Sequence, residues 1–189
     1  RNIAIGVSSM DGFDTEAHNL GIGISALGGS VAGGEYNVAI GNYTLDALTS
    51  ADFNVAVGYQ AGTAVTSGSG NIFMGYNAGE DWTEGGDSVL IGYRAGANCT
   101  TGNDIVFIGK NAGDGHDTEG NNLGIGSNSL GGSIAGGEYN VCVGNGSGLA
   151  VTSGDRNVLI GYIAGDGLTT GAGNVFIGYD STLGSVTDK

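Results

Sequence analysis

Apolar and polar residues alternate along this chain in one short phrase that keeps returning. Asn54-Val55-Ala56-Val57-Gly58-Tyr59-Gln60-Ala61-Gly62 is followed by a polar run to Gly70. At Asn71 the phrase begins again as Asn71-Ile72-Phe73-Met74-Gly75-Tyr76-Asn77-Ala78-Gly79. Aligned on Asn-aliphatic-x-aliphatic-Gly, units start at residues 2, 19, 37, 54, 71, 88, 105, 122, 140, 157 and 174. Their spacing is 17 residues, except for 18 in the units starting at Asn19 and Asn122. A fixed period this short predicts a solenoid built of one coil per unit, not a string of separate domains.

A longer period overlies the short one. Residues 11–23 read DGFDTEAHNLGIG and residues 114–126 read DGHDTEGNNLGIG, while GGEYNV occurs at 33–38 and at 136–141. Residues 2–86 resemble residues 105–189 at an offset of 103, so a block of six coils, long coil included, is duplicated. The expected architecture is all-β: one parallel β-solenoid domain (a β-roll) over residues 1–189, with about eleven coils of 17 residues. Stacked at about 4.8 Å per coil, it would form a rod on the order of 50 Å long.

Within the unit, position 5 is Gly in every copy, from Gly6 to Gly178. A uniform Gly at a strand end predicts a positive φ or a corner too crowded for a Cβ. Positions 2 and 4 are always aliphatic or Met, and strand alternation puts them on one face, taken as the interior. Position 8 is always small, and position 12 (13 in the long units) is usually bulky, as in Leu48, Val65 and Trp82. These supply two more inward contacts and suggest a cross-section of two or three short strands. Position 1 is Asn in nine of the eleven units, which suits an amide ladder inside the turn.

Position 3 then points outward, yet it is apolar or Gly throughout. Ala56, Phe73, Leu90, Phe107, Leu159 and Phe176 are expected to form a lengthwise stripe buried against sister chains. At position 6, Tyr59, Tyr76 and Tyr93 stack in register, and Tyr162 and Tyr179 repeat the column. This ladder is a candidate surface-binding platform or interface rim.

Composition supports the coil: 41 Gly and no Pro, without a Gly-X-Y period and with 40% hydrophobic residues, indicate many tight turns between short strands. A net charge of −14 argues against nucleic acid or an anionic membrane as partner, and no apolar run is long enough to span a bilayer. Cys99 and Cys142 fall at different places in the repeat and read as buried small hydrophobes. The sequons at Asn42, Asn98 and Asn145 arise easily in a repeat rich in Asn and Thr.

Acidic residues gather at three places. Asp11, Asp14 and Glu16 recur as Asp114, Asp117 and Glu119, and Glu80, Asp81, Glu84 and Asp87 form a third group. The duplicated clusters are candidate Ca²⁺ ligands, although their spacing matches neither an EF-hand nor the nonapeptide β-roll site, and solvated acidic turns are the simpler account. No nucleophile, base and acid triad can be assembled around His18 or His116, so no enzymatic activity is expected. A column of Thr49, Thr66, Thr83 and Thr100, resumed at Thr152 and Thr169, raises ice binding by a monomeric solenoid as the alternative function. Corner hydroxyls bonded to backbone would explain that column equally.

Asn37-Val38-Ala39-Ile40-Gly41, with a small residue three places on, resembles the head repeat of trimeric autotransporter adhesins of the YadA type. Residues 157–174, NVLIGYIAGDGLTTGAGN, resemble the Gly-rich repeats of bacteriophage tail fibres. The coil here is longer than that of the adhesin heads. The resemblance implies a left-handed parallel β-roll, a homotrimer, and an extracellular location at a cell surface or on a virion. It implies adhesion to a receptor or glycan in place of catalysis.

Overall fold

A computed structural model of the chain describes residues 1–12, 16–29, 33–132 and 136–182. Eleven three-residue strands, the first at Ile3–Ile5 and the last at Val175–Ile177, form one parallel sheet in sequence order. Each strand pairs with the next coil in register, one repeat apart: Val55 lies beside Ile72, Ala56 beside Phe73 and Val57 beside Met74. This is the expected parallel β-solenoid. Only one strand is made per coil among the described residues, and turns close the remaining sides, where two or three strands were expected.

Position 5 turns the chain out of the sheet. Gly58 has φ 139°, and a Cβ there would sit 2.3 Å from the Gly75 carbonyl oxygen of the next coil. Both expected reasons for the Gly therefore hold at once: a left-handed backbone and no space. From there the amide donates back to the preceding coil, as in Gly58 N–H to Ile40 O at 2.8 Å.

The Asn at position 1 is inside, and it works in two directions. Asn54 Nδ2 donates to Gly68 O at 2.9 Å, which ties the start of the coil to its own far end. Its Oδ1 accepts from the Asn71 backbone amide at 2.9 Å, which ties it to the next coil. Asn37, Asn71, Asn140 and Asn157 repeat the arrangement. Ser88 continues the acceptor row with its hydroxyl, and Ile105 interrupts it.

With position 1 inward, alternation puts position 3 inward as well, and the expected stripe is corrected. Ala56, Phe73, Leu90, Phe107 and Leu159 are completely buried in the core of their own chain, and Phe176 packs partly buried against it. They are core residues, not an interface. The small residues of position 8 and the bulky ones of position 12 (Leu48, Val65, Trp82, Val151, Leu168) join them as expected. Phe13, Val31 and Ile134 of that column lie outside the described residues.

In most coils position 9 fills the volume that position 3 leaves; where both are small, at Ala56 and Gly62, Leu45 and Phe73 of the adjacent coils fill it. Gly21 is matched by Leu27, Ala39 by Leu45 and Gly124 by Leu130, all three leucines fully buried. Conversely Phe73 is matched by Gly79, Phe107 by Gly113 and Leu159 by Gly165. A Cβ on Gly113 would lie 2.1 Å from the Phe107 ring, so the large residue of each coil occupies space that the other must vacate.

Phe107→Gly should therefore destabilise the fold by at least the roughly 3–5 kcal/mol typical of deleting a buried Phe side chain. Phe107→Gly with Gly113→Leu, which copies the Gly124 and Leu130 arrangement of the next coil, should recover much of that loss. Urea unfolding followed by circular dichroism measures both; a double variant no more stable than the single one contradicts this packing.

Candidate functional site: the outward face of the sheet

Positions 2 and 4 of every strand lie on the outside of the sheet. They include Val55 and Val57, Ile72 and Met74, and Val106 and Ile108, and none in any coil is polar. Most are half-buried by their neighbours in adjacent coils, while Ile40, Met74, Ile160 and the residues of the two terminal strands are exposed outright, Met74 at 42%. The lengthwise apolar seam expected from the sequence is thus present, but it is carried by the residues assigned to the core, and the residues assigned to it form the core. β-Branched side chains suit the outer surface of a pleated strand.

Aromatic columns flank this face. On the position-6 side Tyr59, Tyr76 and Tyr93 stack at centroid separations of 5.4 Å with planes within 12°. Tyr162 and Tyr179 do the same at 5.4 Å. All five are exposed, as expected for a surface ladder. Their ring faces look along the rod and are covered by one another, so outwardly they offer ring edges and hydroxyls. A sugar that binds by stacking on a ring face would find the faces between these tyrosines occupied.

The opposite rim has a ladder that the repeat alignment passed over. His18, Tyr36 and Phe53, each just before the Asn of its coil, stack at 4.7 and 5.2 Å. Arg156 lies 5.4 Å from the ring centroid of Tyr139 in the duplicated block. The signal for this column was its place at one fixed offset before the Asn, in a polar run where Tyr and Phe are otherwise rare.

The acidic clusters are used elsewhere. Among the described residues no three His, Cys, Asp or Glu side chains come together in a way that could hold a metal ion. Glu16 and Glu119 are buried and accept from the amides of Gly33 and Gly136 at 3.0 and 2.7 Å, bracing the long coils. Burial pushes the Glu119 carboxyl up, but backbone donors at Glu119 itself, Asp117 and Gly136, helped by nearby His116, more than reverse this and hold it below the usual value. Asp117 accepts from the Thr100 hydroxyl at 2.8 Å, and Asp114 faces Arg94 at 3.4 Å. The Ca²⁺ assignment of Asp114, Asp117 and Glu119 is corrected accordingly: these carboxylates are spread over backbone, hydroxyl and guanidinium partners. Asp11 is exposed, and Asp14 lies outside the described residues.

The threonine column is also committed to the backbone. Thr49, Thr66, Thr83 and Thr100 donate their hydroxyls to carbonyls one coil on at 2.9–3.2 Å, and Thr152 does so at 3.1 Å. Cys99 and Cys142 are buried, free thiols, and burial pushes the Cys142 pKa up to about 12. Neither is poised as a nucleophile. Comparison with protein-family models, curated protein sequences and solved structures returns no match. No helix among the described residues is long and apolar enough to cross a membrane.

His116 stands in the bulky core column, 4.7 Å from the Phe107 ring, and neither ring nitrogen makes a well-formed hydrogen bond among the described residues. Burial lowers its pKa from 6.5 to about 4, an effect that Glu119 and the Leu130 backbone oppose but do not cancel. The unfolded chain takes up a proton below about pH 6.5, whereas the folded one stays neutral until about pH 4. Stability should therefore fall by about 3 kcal/mol as the pH drops through that window, then level off below it. His116→Leu should flatten this part of the profile; the same slope between pH 6.5 and 4 in both proteins would refute the assignment.

Proposed function

We propose that the chain is a structural and adhesive segment of a fibre, a rod that associates with copies of itself through the outward face of its sheet and has no catalytic role. The observation that carries this is the unbroken apolar surface at positions 2 and 4. All-parallel sheets are almost always covered on both faces, and monomers rarely expose contiguous apolar patches of this extent. The sheet is about 50 Å long and, at three residues per strand, about 10 Å wide, so its face covers roughly 500 Å² per chain before the rims are added.

A homotrimer is the assembly that the resemblance to adhesin heads and tail-fibre repeats supports. Three such faces set around one axis would cover one another's aliphatic side chains. The net charge of −14 supports a surface role in another way, because acidic outer faces keep rods apart everywhere except along the seam. The resemblance to adhesin heads and tail-fibre repeats supports a place at a cell surface or on a virion. There the outer turns would meet a receptor or glycan.

Sedimentation equilibrium should give a trimer for this chain. Met74→Glu with Ile108→Glu should shift it to monomer while leaving its circular dichroism unchanged, because only outward positions are altered. A wild-type chain that stays monomeric at all concentrations would sink the proposal.

A further inference from the structure

In two neighbouring coils the two rims of the outward face complement each other. One rim consists of the residues just before the position-1 residue of each coil, the other of those just after the position-5 Gly. In the coil starting at Ile105 they are Asp104 and Lys110, both exposed. In the coil starting at Ser88 they are Asp87 and Tyr93, also both exposed. Opposite Tyr179 on its own strand stands Gly173, where a Cβ would meet nothing within 4 Å, so there is room for a ring; opposite Tyr76, the space beside Gly70 is taken by the Asp87 carboxylate of the same chain.

Within one chain the two members of each pair stand on opposite sides of the three-residue strand that joins them. Neither Asp104 nor Lys110 enters an ion pair among the described residues, where the pairs formed are those of Arg94 and Arg156.

Symmetry can bring the rims together. When identical rods stand with the same polarity around a shared axis, their strands all run round that axis in one sense. The trailing rim of each copy then meets the leading rim of the next. Ring closure also forbids slippage, because a one-coil offset repeated at each junction would climb as an open spiral. Antiparallel rods would instead set like rims against each other and leave Asp104 without Lys110.

We infer that the partner at this face is a second copy of this chain, parallel and level coil for coil, with Asp104 of each copy paired to Lys110 of the next. This rests on the self-association proposed above and adds its polarity and register. Asp87 then accepts from the Tyr93 hydroxyl of the neighbouring copy one coil away, and Tyr179 of each copy closes over Gly173 of the next.

The test is a charge exchange read by sedimentation equilibrium at low and high salt, with circular dichroism as the check on folding. Lys110→Asp and Asp104→Lys each replace attraction by repulsion at every junction. Each should weaken association about tenfold or more at low salt, and less at high salt. The double exchange should restore wild-type association and thereby show that neither substitution merely damaged the coil. Three results overturn the register: single variants that associate like the wild type, a double exchange that does not recover, or rescue of Lys110→Asp by Asp87→Lys in place of Asp104→Lys. Each of these leaves self-association standing. A wild-type chain that is monomeric removes self-association and register together.

Discussion

The buried amide at position 1 is the interaction on which the rest of the structure depends. Asn54 closes its own coil through Gly68 O and holds the next coil through the Asn71 amide, in space that water cannot reach. Each bond contributes on the order of 1 kcal/mol, but leaving the backbone groups unpaired in the core would cost more. The same bond also fixes the parity of the strand. Once the Asn side chain is inside, residue 3 of the unit must be inside with it, and residues 2 and 4 must be outside. The apolar outer face is a direct consequence of a polar residue taking an inner place.

That dependence explains what the sequence made legible and what it hid. Coil length, parallel register, duplication and the requirement for Gly at the strand end all follow from periodicity, because each involves one residue meeting its own repeat. The inner and outer faces cannot be assigned that way. Both are apolar here, and the rule that hydrophobic residues lie inside does not say which of two hydrophobic sets is the inner one. Uniform aliphatic character at positions 2 and 4 made them look like core, whereas the true core column varies from Gly124 to Phe107.

The variation itself carried the answer. A residue in a closed core shares a fixed volume with its neighbours, so its size must be matched by theirs; a residue on an open surface is free of that constraint. Gly124 with Leu130, against Phe107 with Gly113, is such an exchange, written in the sequence six residues apart. The aliphatic pairs at positions 2 and 4 show no comparable trade. The acidic clusters misled for a related reason. Glu16 and Glu119 sit close to other carboxylates in sequence, but a buried carboxylate in a solenoid finds its partner one coil away, in the amides of Gly33 and Gly136.

An internally duplicated rod has one more property that bears on how copies meet. The cores of its coils differ from level to level, but they are sealed inside each chain and cannot set the level at which two rods align. The rims differ on the outside, carrying Asp87, Asp104, Lys110 and Arg156 at single levels between aromatic runs. A uniform apolar seam supplies attraction but is indifferent to sliding, much as a coiled-coil seam is without its polar positions. Register between rods therefore has to come from the few charged and aromatic residues beside the seam. Salt and single charge changes should act on alignment more than on the folding of any one chain.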